Sequence, residues 1–261
     1  MTYEITTLSQ RPQLGEQVDR LSQAAWPAFL HYTDPIHWDS LFSTFADYQI
    51  FLCAPADKVI AVGLTIPFIW DGTLKDLPAS LDELMERAIF AYNSKQAATT
   101  LSALAVMVAP ECRNQNLSAT MLREMRSMAV SHKLHAFIVP VRPTMKSVYP
   151  LTPFDRYVQW RRVDGAPFDP WMRTHWRLGA QSLQVMARAM TITGSVAQWE
   201  EWTKMQFPES GQYVVPGALQ IVSINRQQDR GSYDDPNIWM QHPLTEQPLL
   251  TGFRKDEPTR H

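Results

Sequence analysis

Short β-type patterns alternate with helical ones through the first 141 of the 261 residues, and that alternation restricts the chain to a layered α/β domain. Residues 3–8 carry a brief β-branched run, and residues 14–30 set Leu14, Val18, Leu21, Ala25 and Phe29 at helical spacing. Segments 49–54 and 59–68 read as strands, and Pro55-Ala56-Asp57-Lys58 between them is a turn-forming link, so a hairpin is expected. Ser80, with Glu83 three residues on, opens a helix over 81–92 as a capping box. Residues 100–108 are apolar almost throughout, as a central strand buried on both faces is. A helix over 117–133 follows, with Leu117, Met121, Met125, Met128 and His132 along one stripe, and 136–141 is a second apolar strand. Strand, helix and strand within ~40 residues is the size of a crossover between parallel strands.

After residue 142 the texture changes. Six of the nine tryptophans (Trp160, Trp171, Trp176, Trp199, Trp202, Trp239) fall here, among many prolines. Segments 187–196 and 219–225 are the expected strands and 198–205 a short helix, while 151–179 reads as an insertion and the polar residues 247–261 as a disordered tail. Asp34-Pro35-Ile36-His37-Trp38 and Asp235-Pro236-Asn237-Ile238-Trp239 share a pattern in which Asp caps and Pro opens a helical turn.

Lysine and arginine number 24 against 26 acidic residues, a formal charge of −2, so no global field draws this chain onto nucleic acid or an anionic membrane. No apolar run approaches the ~18 residues of a membrane span. Cys53 and Cys112 cannot form a disulfide framework, and residues 1–10 lack a basic start and apolar core, so a cytoplasmic protein is expected. Neither a Gly-x-x-x-x-Gly-Lys phosphate loop, a Gly-x-Gly-x-x-Gly fingerprint nor a Gly-x-Ser-x-Gly elbow occurs.

One stretch carries chemistry: Val106-Met107-Val108-Ala109-Pro110-Glu111-Cys112-Arg113-Asn114-Gln115-Asn116-Leu117-Ser118, a central strand, a polar loop and a helix start. A helix N-terminus offers unpaired N–H groups and a partial positive charge, so such a loop can wrap a phosphate, with Arg113 adding a full charge. Plain capping by Asn116 and Ser118 explains the same residues equally well.

Here the sequence resembles the GNAT superfamily of acyl-CoA-dependent N-acyltransferases, whose loop reads Arg or Gln, two residues, Gly, one residue, then Gly or Ala. This chain has Arg113, Asn114-Gln115, Asn116, Leu117, Ser118, with Asn116 and Ser118 at the two small positions. The order of elements over residues 3–150 agrees as well. The resemblance implies a mixed α/β fold: a mostly antiparallel, twisted sheet with a central parallel strand pair, flanking helices and a C-terminal extension. Its expected parts are a core over 1–150, an extension over 151–246 that completes the sheet, and the tail. It further implies acetyl-CoA or another acyl-CoA as cosubstrate. Arg113, Asn114, Gln115, Asn116, Leu117, Ser118 and Ala119 would hold the diphosphate, Val106 and Val108 would pair with pantetheine, and Tyr149 would protonate the departing thiolate. The implied reaction is direct attack by the amine of a small molecule on the thioester. No carboxylate lies between Thr99 and Pro110, where the family often places its base, which leaves Asp71, Asp155 and His175 as substitutes. That gap and the two substituted positions keep open a non-catalytic acyl-CoA sensor or scaffold, and the sequence does not separate amine transfer from a thiol-directed or decarboxylating transfer on the same fold.

Arg142 suits a substrate carboxylate or, more simply, a surface acid. Trp26, Phe29, Tyr32, Trp38 and Trp70 would line an acceptor groove, or pack in the core. His132 and His135 lack a third ligand, so no metal is expected. An exposed sheet edge among the late strands would permit a homodimer.

Overall fold

The computed structural model describes residues 3–32 and 35–245; the tail over 247–261 and Asp34 lie outside the described residues. Among the described residues nine strands share one sheet: β1 (Glu4–Thr7), β2 (Ile50–Ala54), β3 (Lys58–Phe68), β4 (Thr100–Val108), β5 (Ala136–Val141), β6 (Gln181–Gly194), β7 (Gly211–Tyr213), β8 (Val222–Asn225) and β9 (Arg230–His242). Their order is β1-β2-β3-β4-β5-β9-β8-β7, with β6 along the other edge of β9. Only β4 and β5 run parallel, as expected for the central pair.

Helices cover both faces. α1 (Val18–Ala25) and α2 (Leu81–Asn93) pack one core with Phe51, Cys53, Val62 and Leu64, while α3 (Leu117–Ser131), α4 (Phe154–Tyr157) and α5 (Pro170–Arg177) pack the other with Ile50, Leu52, Phe137 and Val139. Alternate residues of β2 thus enter opposite cores, which is why it reads as an unbroken apolar run. A third core joins α6 (Val196–Thr203) to β8, β9 and Phe29.

The chain departs from the expected elements where proline and polar residues intervene. The helix over 14–30 is broken: 3-10 turns at Pro12–Gln17 and Ala28–Tyr32 flank α1, because Trp26 takes an extended conformation before Pro27. Ser80 does cap α2 by accepting from the Glu83 N–H, but the Glu83 carboxylate reaches back to the Ala79 N–H. The larger correction concerns residues 230–242. Asp235-Pro236-Asn237-Ile238-Trp239, expected to open a helical turn, lies inside β9, whose register pairs Ile238–His242 with β5. The strand beside β5 is therefore β9, and β8 lies farther out.

Two breaks in the ladders set up the site. β4 and β5 pair only from Thr100–Ser102 to Ala136–Ile138. Just past that point the β3–β4 register shifts, Leu64 facing Ala105 and Thr65 facing Ala103, so Leu104 is an extra residue that bends β4. The buried Gln49 amide supports this bulge by donating to the Thr65 carbonyl at 2.9 Å and accepting from its N–H at 3.0 Å. The second break is on β9: one edge pairs with β8 through Ser232 and with β5 from Ile238, leaving 233–237 without a strand partner on that edge.

Candidate active site

Where β4 and β5 part, a cavity of about 530 Å³ opens under α1, walled by Ala103–Met107 of β4, Val139 and Pro140 of β5, and Trp26, Trp38, Phe42 and Trp171. β4 backbone groups past Ser102 have no β5 partner across this gap, and Pro140 has no N–H to offer.

Polar groups converge on the cavity from β9. Arg142 follows β5, and its Nε donates to both Asp235 oxygens at 3.0 and 2.9 Å while Nη2 donates to the Gly217 carbonyl at 2.9 Å. Tyr233 donates to Asp235 at 2.6 Å and accepts from the Leu219 N–H at 2.9 Å. Burial alone would lower the Arg142 pKa, but the Asp235 charge and Tyr233 outweigh it and hold the guanidinium above its ordinary value. Burial, reinforced by Asp235, raises that of Tyr233. Arg142 is thus a buried ion pair on the cavity wall, and the surface-acid reading does not hold. Asn237 also lines the cavity; its Nδ2 donates to the Pro140 carbonyl at 3.3 Å, and its buried Oδ1 has no partner among the described residues. Asp19 and Asp39, both exposed, and half-buried His31 complete the lining on the helical side.

Below the cavity, β4 runs into the loop 109–116 and α3. Asn114 and Asn116 take the left-handed conformation, φ +65° and +60°, which asparagine tolerates better than most residues. Asn116 precedes α3 without a side-chain cap, so the N–H groups of Leu117, Ser118 and Ala119 have no partner among the described residues. Uncapped amides at the positive end of a 15-residue helix fit a diphosphate. The Arg113 guanidinium, otherwise exposed, donates to the Ala24 carbonyl at the end of α1 at 2.8 Å, and Gln115 accepts from the Tyr3 hydroxyl at 2.9 Å.

The chain is 30% identical to the arginine N-acetyltransferase avaD of Aspergillus versicolor, the match covering 93% of this chain and 94% of that protein. The chain belongs to the GNAT superfamily. It is a GNAT-type acyltransferase. No family model matches the sequence. Two solved structures share the fold: the loading GNATL domain of CurA from Lyngbya majuscula, at TM-score 0.63 and 14% identity over 94% of this chain and 98% of that one, and the GphF GNAT-like decarboxylase in complex with isobutyryl-CoA, at 0.60 and 14% over 94% and 100%.

The GNAT elements thus bring some of the expected residues together and separate others. Val106 lines the cavity, whereas Val108, one step past the next residue, pairs with Ala61 of β3 and lies outside it. Tyr149 follows β5 on the α3 face, its ring against Tyr157, Trp160 and Phe168 at 5.9, 5.1 and 5.8 Å. Its hydroxyl has no partner among the described residues, and its carbonyl accepts from the buried Lys146 at 2.8 Å. None of the three substitute bases reaches the cavity. Asp71 lies in an exposed turn, Asp155 is exposed on α4, and His175 is buried against His242 at 2.8 Å. Of the five aromatic groove candidates, Trp26 and Trp38 line the cavity; Phe29 packs on Trp199 and Tyr233, Tyr32 stacks on Trp202 at 4.9 Å, and Trp70 is buried. Among the described residues no cluster of three metal-ligating side chains occurs, and no helix is long and apolar enough to cross a membrane.

The sequence carries no signal that places Asp19, His31 or Asp39 in a site, and Asp235 and Asn237 stand in it only as part of a capping pattern. Asp19 and Asp39 stand on a helix and a 3-10 turn more than a dozen residues apart, and nothing in their spacing signals a shared wall.

Proposed function

We propose that this protein transfers an acyl group from acyl-CoA to the primary amine of a cationic, arginine-like small molecule. The observation that carries this reading is the cavity in the β4–β5 gap: it opens beside the unpaired β4 edge, and its helical side bears Asp19 and Asp39, charges suited to a cation. The identity to an arginine N-acetyltransferase supports the same acceptor class.

Bound acyl-CoA supplies an activated carbonyl and a thiolate leaving group. The chain's own residues do the rest. The amides of Leu117, Ser118 and Ala119, with Arg113, Asn114, Gln115 and Asn116 around them, hold the diphosphate, and the exposed backbone edge at Val106 and Val108 orients the pantetheine arm. His31 takes the proton that makes the amine a nucleophile: its Nε2 lies 3.3 Å from the Trp26 carbonyl, a contact that needs the proton on Nε2 and leaves the Nδ1 lone pair as the base. Tyr149 gives a proton to sulfur as the C–S bond breaks and the C–N bond forms, and the second proton that the acylated nitrogen sheds restores it, so the one proton released overall is the one the ammonium gave up.

The test is to mix purified protein with acetyl-CoA and arginine, lysine, agmatine or an arylalkylamine while following free thiol. Thiol release that depends on a cationic amine is expected. No release with any amine, together with no thermal stabilisation by CoA at 100 times its dissociation constant, where ~2.7 kcal/mol is due, overturns the reading.

A further inference from the structure

The cavity wall where the end of β5 meets β9 holds two polar atoms that the fold positions and then leaves unused. The Asn237 side chain is buried, 5% exposed, and its Nδ2 is anchored on the Pro140 carbonyl, which fixes Oδ1 as a lone acceptor without a partner among the described residues. Leaving such an acceptor dry costs free energy that a ligand N–H restores. Arg142 is held by Asp235 at Nε and by the Gly217 carbonyl at Nη2, so its plane is set, yet Nη1 has no partner among the described residues. Both residues line the same cavity, Asn237 within the break in the β9 ladder and Arg142 just past the last β5–β9 pair, Val141 with Ile238.

A rigid donor beside a rigid acceptor fits a group that carries an acceptor and an N–H on neighbouring atoms. We propose that Arg142 and Asn237 read the head of an α-amino acid, Nη1 donating to its carboxylate and Oδ1 accepting from its α-amine, so that acyl transfer goes to the α-nitrogen. Planar guanidinium suits a carboxylate, and Asp19 and Asp39, on the helical lining of the same cavity, are left for a cationic side chain. This inference rests on the amine-transfer reading above and adds to it a requirement for the carboxylate.

Arginine and agmatine test it, because they present the same primary amine on the same carbon and differ only in the carboxylate. With wild-type protein and acetyl-CoA, kcat/KM for arginine should exceed that for agmatine by about a hundredfold or more, since a site built around a polar group rejects the analogue that lacks it. Arginine methyl ester should fall with agmatine, and fragmentation of the arginine product should place the acyl group on the α-nitrogen. Asn237→Leu should raise KM for arginine at least tenfold and leave KM for acetyl-CoA unchanged. Equal efficiency on arginine and agmatine overturns the subsite while leaving amine transfer standing; no turnover of any amine overturns both. If Asn237→Leu instead raises KM for acetyl-CoA and leaves the arginine to agmatine ratio alone, the two residues hold a pantetheine amide and the proposal is wrong.

Discussion

Acidification should destabilise this protein through one buried contact. His175 on α5 and His242 at the end of β9 meet at 2.8 Å, His175 fully enclosed and His242 nearly so. Burial pushes His242 down to about 4, with Arg126 adding to the effect, and burial, then His242, pushes His175 well below its ordinary value. Both rings are neutral in the folded chain and free to charge in the unfolded one. The unfolded chain therefore binds more protons as pH falls below about 6.5, and stability drops until the folded rings themselves protonate, near about 4 for His242. At pH 5 the unfolded imidazole lies about 1.5 pH units inside its protonated range, which at about 1.4 kcal/mol per unit is roughly 2 kcal/mol for each ring and roughly 4 for the pair. The assay is urea unfolding at pH 7 and pH 5 for wild type and His242→Gln, the latter keeping a hydrogen-bonding partner for His175. Carboxylates elsewhere contribute equally to both proteins, so the difference between them isolates His242. The wild type should lose roughly 2 kcal/mol more than the variant over this interval. Equal losses would refute the reasoning.

Asp235→Ala should cost ~3–5 kcal/mol, read from the urea midpoint, because it strands the Arg142 charge in the interior; a loss below about 1 kcal/mol would mean the pair is solvated. Asn116→Val should weaken acetyl-CoA binding about tenfold by calorimetry, since a β-branched residue resists the left-handed conformation at a cost of ~1–2 kcal/mol, while Asn116→Gly should bind at least as well as wild type. Identical affinities would remove the loop from the diphosphate site. Tyr149→Phe should lower kcat about a hundredfold with both KM values unchanged, and an unaltered kcat would clear Tyr149 of proton transfer. Gly231→Ala should lower the melting temperature by several degrees, because the added methyl would run into the indole of the fully buried Trp199; an unchanged value would show that the ring can shift.

The elements most legible in the sequence are those whose side chains are dictated by burial on two faces. Thr100–Val108 and Ala136–Val141 stand where the apolar runs place them, because a strand between two helical layers admits little else. β9 was hidden for the opposite reason. Its Asp234, Asp235, Pro236 and Asn237 sit at the break between β8 and β5, where they bond to Arg142, Thr191 and the Pro140 carbonyl, so the hydrophobic signal fails where the strand lines the cavity. A polar run inside a strand and a capping sequence look alike until the partner strands are known. The loop before α3 was readable because its chemistry is local: a positive φ and uncapped amides depend on a few consecutive residues. The cavity draws on α1, β4, β5 and β9, which only the folded topology brings together.

A structure of the protein with coenzyme A and arginine bound tests the central claim most directly. The diphosphate should lie on the amides of Leu117 to Ala119, the sulfur in the gap between β4 and β5, and the α-amine of arginine in the cavity facing it. A nucleotide bound elsewhere, or a cavity left empty with both ligands saturating, would contradict it.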